Sequence, residues 1–194
     1  MRNVERLRAR RLQIEEAGEQ GFTLIELLVV LLIIGILLAI AIPTFLSVTK
    51  TANNTAAQSN LETALTGAKT YFEAANQTYV GINGGPQNAA VSTITAIDTG
   101  LTYLTGTSPS TQSNQISLYA VPSSTGSDIV LAAYSAGTKE CWAIEDNTAA
   151  GWDVFGGTGV GTTYAVWRTG ESSTTCKGSQ ATPSAVSTTG FPHS

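Results

Sequence analysis

Hydrophobic and polar positions divide the chain into three regimes. The first 20 residues are polar and rich in arginine. Residues 27–49 carry no charge and read LLVVLLIIGILLAIAIPTFLSVT. From Lys50 onward apolar residues return only at intervals. A bilayer core about 30 Å thick is crossed by roughly 20 apolar residues in a helix. A run that is apolar on every face reads as a membrane span, because a soluble surface helix shows only one apolar stripe. Further along, Val48, Ala52, Ala56, Leu61, Ala64, Leu65, Ala68 and Phe72 recur mostly at spacings of three and four. Asn53, Asn54, Gln58, Asn60, Glu62, Lys69 and Glu73 lie between them. This predicts an amphipathic helix. No proline occurs in 44–85, so one helix over 22–75 is expected, roughly 80 Å long at 1.5 Å per residue. Its alanine-rich stripe suits close approach of a sheet, where a free coiled coil would want larger residues.

Residues 77–114 are punctuated by Gly81, Gly84, Gly85, Pro86, Gly100, Gly106 and Pro109. They read as loop with one short strand or helix inside 91–104. Four strand-like runs follow: 115–121 (QISLYAV), 128–134 (DIVLAAY), 140–145 (ECWAIE) and 162–168 (TTYAVWR). Each is rich in β-branched or aromatic residues and bounded by turn signals. Most of their connections are short enough for antiparallel neighbours, and 146–161 is a longer excursion. The expected fold is α+β, a long N-terminal helix packed on a small antiparallel sheet of about four strands. The expected segments are 1–21, 22–49, 50–76, a globular head over 77–177, and a Ser/Thr/Pro-rich tail over 178–194, mobile or loosely docked.

Composition narrows the function. Among 194 residues, Lys and Arg number 10 against 14 Asp and Glu, a net charge of −4, and charged residues make up only 12%. Ser and Thr supply 45. A protein that binds nucleic acid through a basic groove needs clustered cations to displace counterions, so no direct nucleic-acid binding is expected. His193, near the C-terminal end, is the only histidine, so a Ser-His-Asp site would have to recruit it from the tail. The chain reads as a non-enzyme with no cofactor and no metal. Asp146, Asn147 and Asp153 lie on a Gly-rich stretch but lack EF-hand spacing, and a solvated loop explains them. The run Gly156 to Gly161 has no phosphate-loop lysine. Trp142, Trp152 and Trp167 read as core or interface anchors.

Arg2, Arg6, Arg8, Arg10 and Arg11 precede the apolar run, whereas Lys50 and Lys69 are the nearby cations after it. The positive-inside rule therefore leaves the N-terminus cytoplasmic and sends residues 50–194 outward. A secretory signal has a shorter apolar core and an A-x-A-like site, so ordinary signal cleavage is not expected. Cys141 and Cys176 are the two cysteines, both on the outward side. An even pair in an oxidising space reads as a disulfide, and two separate thiols are the alternative.

Glu26 is the one ionisable residue at the front edge of the apolar run. Its position, four residues after Phe22, keeps it about 6 Å from that residue along a helix, near the headgroups, where the cost of a charge is lower than at mid-bilayer. Thr23-x-x-Glu26 is a capping-box pattern, and a carboxylate there suits the positive end of the helix dipole. Pro43 has no N–H for the carbonyl of Ala39, which predicts a kink, and Gly35 is a second interruption.

The order Gly21-Phe22-Thr23-Leu24-Ile25-Glu26, running into an unbroken apolar helix, resembles the prepilin class of signal found in type IV pilins and their relatives. The resemblance covers roughly residues 18–76. It implies a leader 1–21 removed on the cytoplasmic side after Gly21 by a prepilin peptidase, with Phe22 methylated as the new N-terminus. The apolar helix is then retained in the membrane and later packed in a filament core. A carboxylate buried among such helices needs a partner charge, and the resemblance supplies one in the Phe22 amine, so Glu26 acts as a register device. Both that role and the capping role stay open. The resemblance further implies that the helix loosens between Gly35 and Pro43 on packing, and that Cys141–Cys176 fastens the last part of the head. Implied partners are further copies of the chain, the peptidase, an assembly ATPase, a membrane platform protein and the cell (inner) membrane before assembly. The assembled filament is extracellular. On such a chain the glycosylation-like triplets at Asn53 and Asn76 are discounted. The alternatives are a type II secretion pseudopilin and a membrane-anchored binding module that does not polymerise.

Overall fold

The computed structural model describes residues 21–82, 92–121, 128–149, 154–156, 159–169, 173–180 and 183–192. The order is helix α1 (Leu24–Ala74), a short helix α2 (Ser92–Ile97), then strands β1 (Thr102–Thr105), β2 (Gln115–Ala120), β3 (Asp128–Ser135), β4 (Glu140–Asn147), β5 (Gly161–Arg168) and β6 (Ala185–Ser187). Two 3₁₀ turns, Ser173–Thr175 and Gly178–Gln180, lie between β5 and β6. The chain divides into two compact units, and the boundary between Leu46 and Ser47 falls inside α1.

In the first unit the side chains of α1 are exposed all round. The helix runs unbroken through Gly35 and Pro43. Beside Pro43, the Thr44 hydroxyl donates to the carbonyls of Ile40 and Ala41 at 3.2 and 2.9 Å. It thus adds polar partners next to the turn that lacks the proline's N–H.

In the second unit α1 buries Ala57, Leu61, Ala64 and Ala68 against the sheet, with Leu65 and Phe72 at the margin. That spacing is helical. The stripe departs from the expected one at its start, because Ala52 and Ala56 are exposed and Ala57 is buried. Polar contacts explain the rotation. Asn54 turns to the sheet, where its Oδ1 accepts from Trp142 Nε1 at 3.3 Å and from Thr138 Oγ1 at 2.6 Å. Asn60 donates to the carbonyl of Ser113 at 2.8 Å. The helix ends in a Schellman motif: Gln77 N–H reaches the carbonyl of Phe72 at 2.9 Å, and Asn76 takes φ 56°, a left-handed cap position.

The sheet order is β1-β2-β3-β4-β5-β6. The four expected strands are present as β2 to β5, paired antiparallel in sequence order. The sheet is larger than expected, with six strands, and it is mixed, because β1 pairs parallel with β2. Neither added strand has a readable period: β1 is four residues between glycines, and β6 is three residues of Ala-Val-Ser. Part of the tail joins the sheet. β6 pairs with Tyr164 to Val166 of β5, and Phe191 packs edge-on to Trp142 and Tyr164 at 5.7 and 4.9 Å. Both the short helix and a short strand fall in or near 91–104, where one of the two was expected.

Every residue of β3 and β4 is buried, so both sheet faces are covered. One face carries Ile116, Leu118, Ile129, Leu131, Trp142 and Ile144 against α1. The other carries Val130, Ala132, Cys141, Ala143, Trp167 and Phe155. Trp142 and Trp167 are core residues, one on each face, and Trp152 lies outside the described residues.

Candidate functional site

The front edge of the apolar helix is built by a local reciprocal cap. Thr23 precedes the first helical residue, and its backbone N–H and hydroxyl donate to Glu26 Oε2 at 2.8 and 2.9 Å. Glu26 N–H donates back to Thr23 Oγ1 at 3.2 Å. This capping box satisfies backbone donors that the first helical turn cannot pair internally. It also gives the carboxylate a definite rotamer. Phe22 stands just outside the cap and is 83% exposed. With Ile25, Leu27, Val29 and Val30 it forms an exposed apolar surface around Glu26.

Among the described residues, no contact requires glycine at position 21. A Cβ added there meets nothing within 4 Å, and the same holds for Gly35. Neither glycine is demanded by packing among the described residues. Open space at Gly35 leaves room for the close approach of another helix.

The disulfide expected from the two cysteines is present. Cys141 on β4 is bonded to Cys176 with a Cα–Cα distance of 5.4 Å, and both residues are fully buried. It ties the segment carrying the 3₁₀ turns onto the sheet face away from α1. Gly178 completes the closure: its N–H donates to Ser117 Oγ at 3.1 Å. A Cβ at Gly178 would lie 2.9 Å from Tyr119 Cβ.

Two acidic residues adjacent in sequence serve opposite faces. Glu145, 1% exposed, accepts the N–H groups of Val154 and Phe155 at 2.7 and 3.1 Å, which seats Phe155 in the outer core. Asp146 faces α1. Its Oδ2 accepts from Tyr79 at 2.6 Å, and its Oδ1 accepts from Thr162 at 2.8 Å and lies 3.1 Å from Lys69 Nζ. Asn147 Oδ1 accepts the N–H of Ala149 at 3.0 Å. Asp146 and Asn147, weighed above as calcium ligands, are thus engaged within the protein, and Asp153 lies outside the described residues. Gly156 and Gly159 take φ 72° and 112°, a left-handed region that explains glycine in this loop. His193 and Arg2 to Arg11 also lie outside the described residues. Sequence reading missed Asn54, Tyr79 and Glu145 as organisers of the head, because an isolated polar residue does not name a partner far along the chain.

A capped apolar helix, exposed on all sides over its first half and leading to an α+β head with one disulfide, defines a pilin-like architecture. The comparisons agree. A family model described as the prokaryotic N-terminal methylation motif matches residues 17–42. The type IV major pilin protein PilA of Myxococcus xanthus (strain DK1622) is 47% identical over 53 residues, covering 27% of this chain and 24% of that protein. The chain therefore aligns with about a quarter of the length of this curated relative. No solved structure matches significantly. The motif places a prepilin-type methylation signal over residues 17–42, and the relative adds a likeness to a type IV pilin over about a quarter of the chain. Among the described residues, one helix is long and apolar enough to cross a membrane, and with the motif it fits a membrane-anchored pilin.

Proposed function

We propose that the chain is a structural subunit of a type IV pilus-like surface filament. The observation that carries this reading is the methylation motif over 17–42, which runs directly into a helix whose apolar side chains find no cover among the described residues. Residues 1–21 are the cytoplasmic leader, and prepilin peptidase cuts between Gly21 and Phe22. That no packing constraint on Gly21 is seen among the described residues fits its selection by an outside enzyme. Phe22 is then methylated. Residues 22–49 hold the subunit in the inner membrane, N-terminus inward, and later pack in the filament core. There, burial of apolar surface is the main cohesive term. Residues 50–76 and the head over 77–177 form the outer part of the subunit.

Glu26 sets register by pairing with a Phe22 amine, its own or a neighbour's. The capping box holds the carboxylate beside that N-terminus beforehand, which lowers the ordering cost of the pairing. An assembly ATPase and a membrane platform protein drive polymerisation. Replacing Gly21 by Leu tests the cleavage step: the mass of the membrane-bound chain should then retain the leader. A variant processed like the parent would refute this cleavage site.

A further inference from the structure

Strand β1 depends on a connection that cannot hold itself. It pairs parallel with β2, Thr102 opposite Gln115 and Thr105 opposite Leu118, so the chain must run back along the strand between them. Such crossovers usually take a dozen or more residues and carry a helix, which pairs its own backbone. Here residues 106–114 make the return with no helix or strand, and their polar groups need other partners. Part of the demand is met locally. Ser108 N–H donates to the carbonyl of Thr105 at 2.8 Å, and the Ser110 hydroxyl proton is shared between the carbonyls of Gln112 and Gln115 at 3.0 and 2.7 Å.

Much of the rest is met by the segment that Cys176 anchors. Ser110 N–H donates to the Cys176 carbonyl at 2.8 Å. The Gly106 carbonyl accepts both the N–H and the hydroxyl of Ser179, at 3.1 and 2.7 Å. Ser117 Oγ bridges crossover and segment: it accepts the Gly178 N–H at 3.1 Å and donates to the Ser108 carbonyl at 2.8 Å. Two glycines bring both pieces of chain onto one residue of β2. A Cβ would lie 2.5 Å from Tyr119 Cβ if added at Gly106, and 2.9 Å from it if added at Gly178. Crossover and cysteine segment thus form one layer on β2, and Tyr134 N–H of β3 donates to Ser110 Oγ at 2.9 Å.

Cys141 on β4 is the covalent tie of this layer to the middle of the sheet. Without that tie, segment 173–180 is a pair of three-residue 3₁₀ turns, too short to keep a place by their own hydrogen bonds. We propose that the cysteine pair is a one-way redox latch on the β1 edge: the dithiol head folds β2 to β5 but leaves β1 and 106–114 open, and oxidation closes them. The step is thiol–disulfide exchange. One cysteine thiolate attacks a disulfide-bearing oxidant, the other displaces the resulting mixed disulfide, and the oxidant leaves as thiols carrying the cysteine protons. Both cysteines are fully buried in the closed head, so a reductant does not reach the bond. Thr107, Thr111, Gln112 and Asn114 are exposed on the crossover. The surface they form belongs to the oxidised chain alone, and a head kept in a reducing space lacks it. This inference rests on the head by itself and not on the filament reading.

The test is hydrogen exchange of the full-length chain in detergent, compared between the oxidised form and a dithiol form refolded under reductant. In the dithiol form, peptides from 102–114 should exchange within about tenfold of an unstructured chain, while peptides from 140–147 and 161–168 stay protected. Adding oxidised glutathione should restore the protection together with the mass loss of a disulfide. Protection of 102–114 that survives in the dithiol form overturns the proposal. So does loss of protection from all strands together, which would make the bond a general support of the head. Reductant added to the folded oxidised head without denaturant should leave the bond intact, and rapid reduction would contradict the one-way latch. Ser117→Ala, with the disulfide kept, tests the clasp separately. Exchange at 106–110 should rise about tenfold with 140–147 unchanged, and unaltered exchange at 106–110 would mean that the cysteine segment does not hold the crossover.

Discussion

The Tyr79 hydroxyl donates to the Asp146 carboxylate at 2.6 Å, joining the segment just after α1 to the end of β4, 67 residues away in sequence. Tyr103 makes the corresponding bond to Asp98 at 2.9 Å. Both phenols are pushed well above the ordinary tyrosine range, first by burial and then by the carboxylate each one faces. A folded-state pKa raised above the unfolded value means that the folded chain holds protons the unfolded chain has released. Stability from these groups is therefore fully present below about pH 10 and lost as pH rises beyond it. The slope should approach about 1.4 kcal/mol per pH unit for each tyrosine. Denaturant unfolding in detergent from neutral to strongly alkaline pH measures it, and Tyr79→Phe should remove one proton's share of the slope.

Cys141 and Cys176 close a loop of 35 residues. In the chain-entropy account such a crosslink stabilises by roughly 3–4 kcal/mol. Paired Cys141→Ala and Cys176→Ala replacements should lower head stability by about that amount while leaving membrane insertion unchanged. Unfolding of the head, followed by Trp142 and Trp167 fluorescence, reads the first effect, and vesicle flotation reads the second.

Glu145 holds two backbone N–H groups with its two carboxylate oxygens. In Glu145→Gln one of those oxygens becomes an amide NH₂ that meets a donor head-on, and leaving a buried donor unpaired costs about 1–3 kcal/mol. Faster hydrogen exchange at Val154 and Phe155, with β3 and β4 still protected, is the expected result. Uniformly faster exchange across the sheet would instead mean that Glu145 supports the whole head.

Glu26→Gln separates the two roles of Glu26. Glutamine still completes a capping box but carries no charge for the Phe22 amine. If charge sets register, Glu26→Gln and Glu26→Ala should both insert in the membrane and both lose most filaments by electron microscopy of sheared material. Normal filaments from Glu26→Gln would leave capping as the role of this residue.

Much of this architecture is legible in the sequence, because its strongest signals are local. The uncharged run, the Thr23–Glu26 cap and the alternating runs of β2 to β5 each need only neighbouring residues to be read. The misreadings share one cause. β1 and β6 are too short to show a period, and their pairing depends on partners elsewhere in the chain. Ala56 and Ala57 are indistinguishable by hydrophobicity, and the burial of Ala57 goes with Asn54 turning toward Trp142, 88 residues away. Likewise, nothing next to Gly137 reveals that Lys50 lies against it. The cysteine pair was readable because two cysteines permit one pairing.

The most direct test of the pilus reading is intact mass spectrometry of protein sheared from the surface of producing cells, run beside the membrane fraction. The account predicts sheared material that begins at a methylated Phe22 and carries the Cys141–Cys176 bond. A chain found only in membranes with residues 1–21 still attached would contradict it.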